Sequence, residues 1–303
     1  SVIRSIAVRE SDVQRLERLQ LLESQLLDPV TAATAALRLE AIGPHAAEVL
    51  EKGLESTDTY VRFYSAESLA YLDDAKAARP LAIFAAKEPA FRAYALAALS
   101  AMDDVSAYDE LTQLLSSNSA ETRYGAFRAL WLMDPRDPVV RGLPTSGDFS
   151  LHVVQSDGPS MVHVARTHRP EIVLFGRDQR FDTPLAFEVG GNLVIRSTGG
   201  NEVEISKVFI DRSFEGSPVR DEKLVVTNRV FDVIQAMSKL GARYPQIVAM
   251  LSGAKRQGVL RSRLAVGALP KGNRTHVDDT RIERSLPSEF AGSDRSVEAI
   301  IDR

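Results

Sequence analysis

Five histidines and several runs of charged residues are the side chains of this sequence that could do chemistry. Three of the histidines lie close together, at His152, His163 and His168, and the first two could face each other across a hairpin. A metal site needs a third well-placed ligand and carboxylates that orient the imidazoles. The spacing supplies no such set, so we interpret these histidines as surface or turn residues and predict no metal site.

Carboxylates in the same half of the chain are candidates for general acid–base chemistry. They are Asp178, Asp182, Glu188 and Glu204. Such chemistry requires carboxylates that converge on a cleft, whereas acidic residues beside hairpin turns are usually solvated. The chain has no cysteine, and it contains no GxxxxGK(S/T), GxSxG or HExxH motif. We therefore predict no catalytic residue, no cofactor and no enzymatic activity.

Arginines and tyrosines are the candidate binding residues. The densest basic segment contains Arg166, Arg169, Arg177 and Arg180. Such a segment could contact a partner or an anionic glycan, although a solvated rim is its more usual role. Tyr64 and Tyr94 occupy equivalent positions of a repeat, and aromatic residues often anchor the centre of an interface, although core packing explains them about as well. The net charge of −4 gives no general attraction for nucleic acid, so we expect protein partners.

The elements that position these residues follow from a repeat of about thirty residues in the first half of the chain. Three segments align without gaps, at 58–73, 88–103 and 119–134. An arginine recurs at the same place in each segment, as Arg62, Arg92 and Arg123. An arginine at this place in a helical stack usually donates to loop carbonyls or pairs with an acidic group of a neighbouring repeat. We interpret the three arginines as structural.

Each repeated segment predicts one helix, because small and apolar residues recur at helical spacing and Asp58 and Ser119 are natural N-caps. Further amphipathic helices are predicted at 45–55, 76–87 and 106–117, and an earlier pair at 11–27 and 29–42. A single helix pair cannot bury its apolar stripe alone, so neighbouring pairs must stack. Residues 1–138 are thus predicted to form a HEAT-like α-solenoid of about four helix pairs.

The pattern changes near 138–147, where prolines and glycines end the last helix. Short runs rich in Val, Ile and Phe follow, with glycine pairs between some of them that are typical of hairpin turns. These runs predict a small antiparallel β-sandwich or barrel of about five to seven strands.

Helical spacing returns at about 230–240 and again at 244–259. The sequence therefore predicts a β-rich module with two C-terminal helices at 148–270, followed by a polar, disordered tail at 271–303. The whole chain is expected to be α+β and multidomain, and its apolar runs are too short to span a membrane.

Three segments together resemble the C-terminal extension of planctomycete-type flagellar P-ring proteins. They are 123–134, itself similar to HEAT-like repeats, 169–180 and 230–237. The likeness covers most of 45–270. It implies a periplasmic structural component of the flagellar basal body, with other ring or basal-body components as partners and without catalytic residues. The ring-building portion of that family is not part of this sequence, so the resemblance implies a role in protein–protein contact.

Three hypotheses of function follow. The first is a non-catalytic structural or interaction module that offers an extended solenoid surface. The second is an enzyme or regulatory subunit that uses the β-module to bind a small ligand or glycan, in which His152, His163 and the segment 166–180 line one concavity. The third is a HEAT-like relative of lyases that act on tetrapyrrole-linked proteins, and it requires an acidic, aromatic concave face.

Overall fold

The computed structural model describes residues 12–146, 148–166, 169–209 and 220–272. The predicted tail lies outside the described residues from position 273 onwards, and so does His168. Among the described residues, no helix has both the length and the apolar character needed to cross a membrane.

The first half of the described chain folds into α-helices that pack as consecutive pairs. They are α1 (Asp12–Leu26), α2 (Ala32–Ile42), α3 (Ala47–Leu54), α4 (Thr59–Tyr71), α5 (Ala78–Lys87), α6 (Arg92–Ala101), α7 (Val105–Leu114) and α8 (Ala120–Met133). Helices α2, α4, α6 and α8 also pack on one another in a row. This stack of pairs is the α-solenoid that the repeat predicts.

The predicted N-caps begin their helices as expected. The Asp58 carboxylate accepts hydrogen bonds from the first-turn N–H groups of Tyr60 and Val61 at the start of α4. The Ser119 hydroxyl accepts from the Thr122 N–H at the start of α8. Each cap satisfies backbone donors that no helical carbonyl can reach, a contribution of about 1 kcal/mol.

The recurring arginines hold the loops of the solenoid. Arg62 donates to the carbonyls of Ser56 and Thr57, at 2.8 Å in both cases. Arg92 donates to the carbonyl of Ala85 at 2.9 Å, and Arg123 to that of Ser117. Arg92 also lies 3.6 Å from Glu121 of the next repeat. The structural interpretation of these arginines is confirmed.

Two β-sheets and two further helices form the second half of the described chain. The strands are β1 (Gly142–Pro144), β2 (Ser150–Val154), β3 (Met161–Val164), β4 (Glu171–Phe175), β5 (Ala186–Val189), β6 (Leu193–Gly199), β7 (Glu202–Phe209), β8 (Arg220–Thr227) and β9 (Arg263–Val266), and the helices are α9 (Val230–Lys239) and α10 (Tyr244–Arg256). The first sheet has the order β1-β2-β4-β3-β9, and the second has the order β5-β6-β7-β8.

The first sheet is covered on both faces, and this makes it the centre of the molecule. Alternate residues such as Val154 and Phe175 pack in one continuous core with the solenoid helices. Residues of the opposite face, such as Leu151 and Leu174, pack with α9, α10 and the second sheet. Every residue of β4 is buried for this reason.

The predicted α+β layout is confirmed, with one difference in strand direction. The second sheet is antiparallel throughout, but in the first sheet β2 pairs with β4 and β3 pairs with β9 in parallel. Hairpin turns do not set these two pairings, because β4 lies between β2 and β3 and because β9 joins the sheet only after α9 and α10. The boundaries of the predicted domains stay a prediction.

Candidate functional site

A groove on the solenoid brings together the two tyrosines selected from the sequence. It has a volume of about 250 Å³ and lies between α2, α4 and α6. Its walls are formed by Ala33, Ala36, Leu37, Glu40, Tyr64, Glu67, Ser68, Tyr71 and Tyr94. We call this cavity the tyrosine groove. Tyr64 and Tyr94 both line this groove, and their role in partner binding stays a prediction.

Two residues of the tyrosine groove that the sequence reasoning missed are its most exposed apolar side chains. Leu37 is 64% exposed and Tyr71 is 49% exposed, whereas Tyr64 is only 5% exposed. Tyr71 follows Tyr64 by two helical turns on α4, so it lies on the same helix face. That spacing was the signal that could have identified Tyr71 from the sequence.

An aromatic cluster beneath the tyrosine groove fixes the position of Tyr64. The Tyr64 ring stacks on Tyr60 with 6.4 Å between centroids and meets Phe63 edge-on at 5.9 Å. Phe63 in turn contacts Phe84 and Phe91. Aromatic rings packed in this way have little freedom to move, so the floor of the groove is rigid while Leu37 and Tyr71 project above it.

The segment after β9 reaches the edge of the tyrosine groove. The N–H of Ala268 donates to Nε2 of His163 at 3.0 Å, which anchors the start of the segment on the first sheet. Pro270 then lies against Gly125 of α8, and Gly272 lies beside the hydroxyl of Tyr94. We call residues 267–272 the strap. The strap links the first sheet to the solenoid surface at the groove.

A buried polar cluster joins α8 to the first sheet. Glu171 of β4 is 2% exposed, and its carboxylate accepts a hydrogen bond from the hydroxyl of Tyr124. Arg128 donates to the same carboxylate at 3.3 Å. Burial, followed by the contact with Glu171, raises the pKa of Tyr124. Because a buried carboxylate needs such partners, Glu171 fixes how α8 docks on the sheet.

His152 belongs to this cluster and is not the surface residue that the sequence predicted. Its Nδ1 lies 2.7 Å from the carbonyl oxygen of Val140 and its Nε2 lies 4.0 Å from Glu171. The ring meets Phe127 of α8 edge-on. Burial lowers the pKa of His152. The prediction was wrong because α8 packs on the face of the first sheet that carries His152, and the sequence around His152 gives no sign of this contact.

His163 is also buried, and the prediction of a surface or turn position was wrong for it as well. Its ring stacks on Tyr124 with 3.6 Å between centroids, and its Nε2 accepts from the strap. Burial lowers the pKa of His163 to about 3. His163 is therefore neutral at physiological pH and serves as a packed acceptor.

The four selected arginines do not form one patch. Arg166 and Arg169 lie before β4, whereas Arg177 and Arg180 lie after it, at the opposite end of the strand. Arg169 lies over the ring of Trp131 at 4.5 Å, and Arg180 donates to Asn228 at 3.1 Å. The concavity that the second hypothesis requires is not formed, because both histidines of that set are buried under α8.

Comparisons with known proteins show a weak likeness in fold. No protein-family model matches the chain, and no curated protein matches it. A solved structure of the complex of CpcE and CpcF of phycocyanin lyase from Nostoc sp. PCC7120 matches 41% of this chain and 84% of its own chain, with 22% identity and a TM-score of 0.33.

The predicted lack of enzymatic activity is corrected by this comparison. The matched structure is that of a phycocyanin lyase complex, which is at odds with a prediction of no enzymatic activity, and we withdraw that prediction. The likeness is too weak to assign an activity to this chain. The HEAT-like solenoid rests on the stacked helix pairs themselves.

Proposed function

We propose that the solenoid is a protein-interaction module and that its tyrosine groove binds a segment of a partner protein. The observation that carries this proposal is the pair of exposed apolar side chains, Leu37 and Tyr71, above a rigid aromatic floor. Aromatic anchors held in place lose little entropy on binding, which is why they dominate interface energetics.

The partner segment should be apolar with basic flanks. Glu40 and Glu67 line the tyrosine groove together with the tyrosines. A lysine or arginine beside an apolar anchor would find a carboxylate there, and an acidic segment would be repelled. Charge at the rim of an interface affects mainly the association rate and the choice of partner.

Site-specific photocrosslinking tests this proposal. The photoreactive residue p-benzoylphenylalanine replaces Tyr71 in the full chain, and Val105 of α7, which is 74% exposed, is replaced in a control. We expect a discrete crosslinked partner from position 71 that is absent from position 105. The double substitution Leu37→Ser/Tyr71→Ser should then weaken binding of the purified partner by about tenfold or more. Equal crosslinking from both positions, or an unchanged affinity, would refute the proposal.

The sequence resemblance suggests where such a module would act. On the resemblance alone, we propose a P-ring-like assembly of the flagellar basal body and therefore a periplasmic location. Cell fractionation with an antibody against this chain tests the placement. Recovery in a cytoplasmic fraction, without basal-body components, would rule it out and would leave the tyrosine groove proposal untouched.

A tetrapyrrole-linked function is a second candidate. The sequence hypothesis of a lyase relative requires an acidic, aromatic face, and the tyrosine groove combines Glu40 and Glu67 with Tyr64, Tyr71 and Tyr94. Titration of the chain with biliverdin, followed by its visible absorbance, tests this candidate. Binding that Tyr71→Ser weakens would support it, and an unchanged biliverdin spectrum would count against it.

A further inference from the structure

A second cavity lies at the edge of the first sheet, far from the tyrosine groove in sequence. It has a volume of about 550 Å³. Its walls include Arg141, Leu143, Val153, Arg177, Arg229 and Phe231. We call this cavity the arginine pocket. Its volume is in the range of cavities that hold small ligands.

The topology of the sheet explains why the arginine pocket forms there. Strands β2 and β4 are parallel neighbours, so their carboxyl ends lie at the same edge of the sheet. Gln155 follows β2, Arg177 follows β4, and the first turn of α9 contributes Phe231 and Asp232. The carboxyl ends of parallel strands and the N-terminus of a helix are places where open sheets commonly bind anionic ligands.

The charges of the arginine pocket are not balanced. Arg229 lies 3.4 Å from Asp178, which offsets its charge. The carboxylate of Asp232 accepts a hydrogen bond from the Thr227 hydroxyl and keeps its negative charge, but the three arginines of the lining outnumber it. In contrast, neither Arg141 nor Arg177 has an ion-pair partner within 4.0 Å among the residues that the structure describes. Two guanidinium groups therefore remain available to an anion.

The remaining walls of the arginine pocket are apolar. Val139, Leu143, Val153 and Phe231 line it, and Leu143 is exposed on the short edge strand β1. A hydrated inorganic anion gains nothing from such walls, whereas an organic anion with an apolar body would bury surface against them. Two guanidinium groups can hold a carboxylate by charge-assisted hydrogen bonds.

We infer that the arginine pocket is a binding site for an organic carboxylate with an apolar body. Arg141 and Arg177 hold the carboxylate, and Leu143, Val153 and Phe231 contact the apolar body. The same chemistry is presented by a free aromatic or aliphatic acid and by an acidic–apolar segment of a protein. This inference does not depend on the proposal for the tyrosine groove, so an experiment can refute one and leave the other standing.

Isothermal titration calorimetry of the full chain with naphthoate tests the inference, and the uncharged isostere naphthamide is the matched probe. We expect naphthoate to bind about tenfold more tightly than naphthamide, a difference of about 1.4 kcal/mol, because the neutral amide cannot make the charge-assisted hydrogen bonds of a carboxylate. The variant Arg141→Gln/Arg177→Gln should lose this preference. Arg136→Gln, which removes an exposed arginine outside the pocket, should keep it.

A second pair of probes distinguishes the two sources of carboxylate. The peptide acetyl-Glu-Phe-Glu-amide is compared with acetyl-Gln-Phe-Gln-amide on the same proteins. If only the acidic peptide binds, and the double variant abolishes its binding, the site holds and its ligand is a protein segment. The inference is overturned if charged and uncharged probes bind equally, if the double variant binds as wild type does, or if neither naphthoate nor the acidic peptide binds.

Discussion

Acidification should destabilise this protein through His163. The pKa of the buried imidazole is about 3 in the folded chain, against 6.5 for an ordinary histidine. The folded state therefore excludes a proton that the unfolded chain accepts. The stabilising effect is complete above pH 6.5 and is lost progressively as the pH falls from 6.5 towards 3.

The loss of stability at pH 5 follows from the difference between pH 5 and the pKa of 6.5 in the unfolded chain. Each pH unit below 6.5 costs about 1.4 kcal/mol, so His163 should lower the free energy of unfolding by about 2 kcal/mol between pH 8 and pH 5. The result depends little on the folded pKa, because pH 5 lies well above 3. Burial also lowers the pKa of His152, so His152 adds to the loss of stability on acidification.

Urea denaturation at pH 8 and at pH 5 measures the effect. Trp131 is the single tryptophan of the chain. It lies on α8, and the guanidinium groups of Arg128 from the same helix and of Arg169, two residues before β4, lie over its ring, so its fluorescence reports the solenoid–sheet junction. In His163→Phe the ring can still stack on Tyr124, but the titrating group is gone.

Wild type and His163→Phe should differ in how steeply the free energy of unfolding depends on pH. His163→Phe should be less stable at pH 8 by about 1–3 kcal/mol, because the N–H of Ala268 loses its acceptor. Its free energy of unfolding should nevertheless fall by about 2 kcal/mol less than that of wild type when the pH is lowered from 8 to 5. His45→Gln, at an exposed position, is the control and should retain the wild-type slope. If His163→Phe retains the wild-type pH dependence, His163 is not the buried neutral acceptor described here.

Three further substitutions test the packing of the molecule by urea denaturation at pH 8. Glu171→Ala should cost about 3–5 kcal/mol, because the buried Tyr124 hydroxyl and the partly buried guanidinium of Arg128 lose their acceptor. Glu171→Gln should cost clearly less because it keeps one oxygen, and equal losses would contradict the role of the charge. Asp58→Ala should cost about 1 kcal/mol through the lost cap of α4, and an unchanged midpoint would contradict it. Gly125→Ala should destabilise by about 1 kcal/mol, because its Cβ would lie 2.5 Å from Leu96 of α6 and 2.8 Å from Pro270 of the strap, and this overpacking outweighs the gain in helix propensity. A stabilised variant would contradict the close packing of α8 against Leu96 and the strap.

The helices of the solenoid and their structural arginines could be predicted because their signals are local. The N-caps Asp58 and Ser119 act within one helical turn. Arg62 reaches carbonyls only five and six residues before it. The repeat places such residues at the same position three times, so each predicted helix supports the prediction of the other two.

The candidate site was only partly predictable for a different reason. Tyr64 and Tyr94 were found because the repeat makes them equivalent, but equivalence does not show which side chains a neighbouring helix leaves exposed. Leu37 and Tyr71 are the most exposed apolar side chains of the tyrosine groove, and their exposure depends on how α2, α4 and α6 pack.

The sequence by itself determined that residues 58–134 are stacked helical repeats and that strands follow them, since periodicity, caps and turns act over a few residues. Only the tertiary structure decided that α8 covers the first sheet and buries His152, His163 and Glu171. The hydroxyl of Tyr124 and the carboxylate of Glu171 are 47 residues apart in the chain, and no local pattern encodes their contact. The parallel pairing of β2 with β4, which opens the arginine pocket at their carboxyl ends, likewise depends on the order of strands in the sheet.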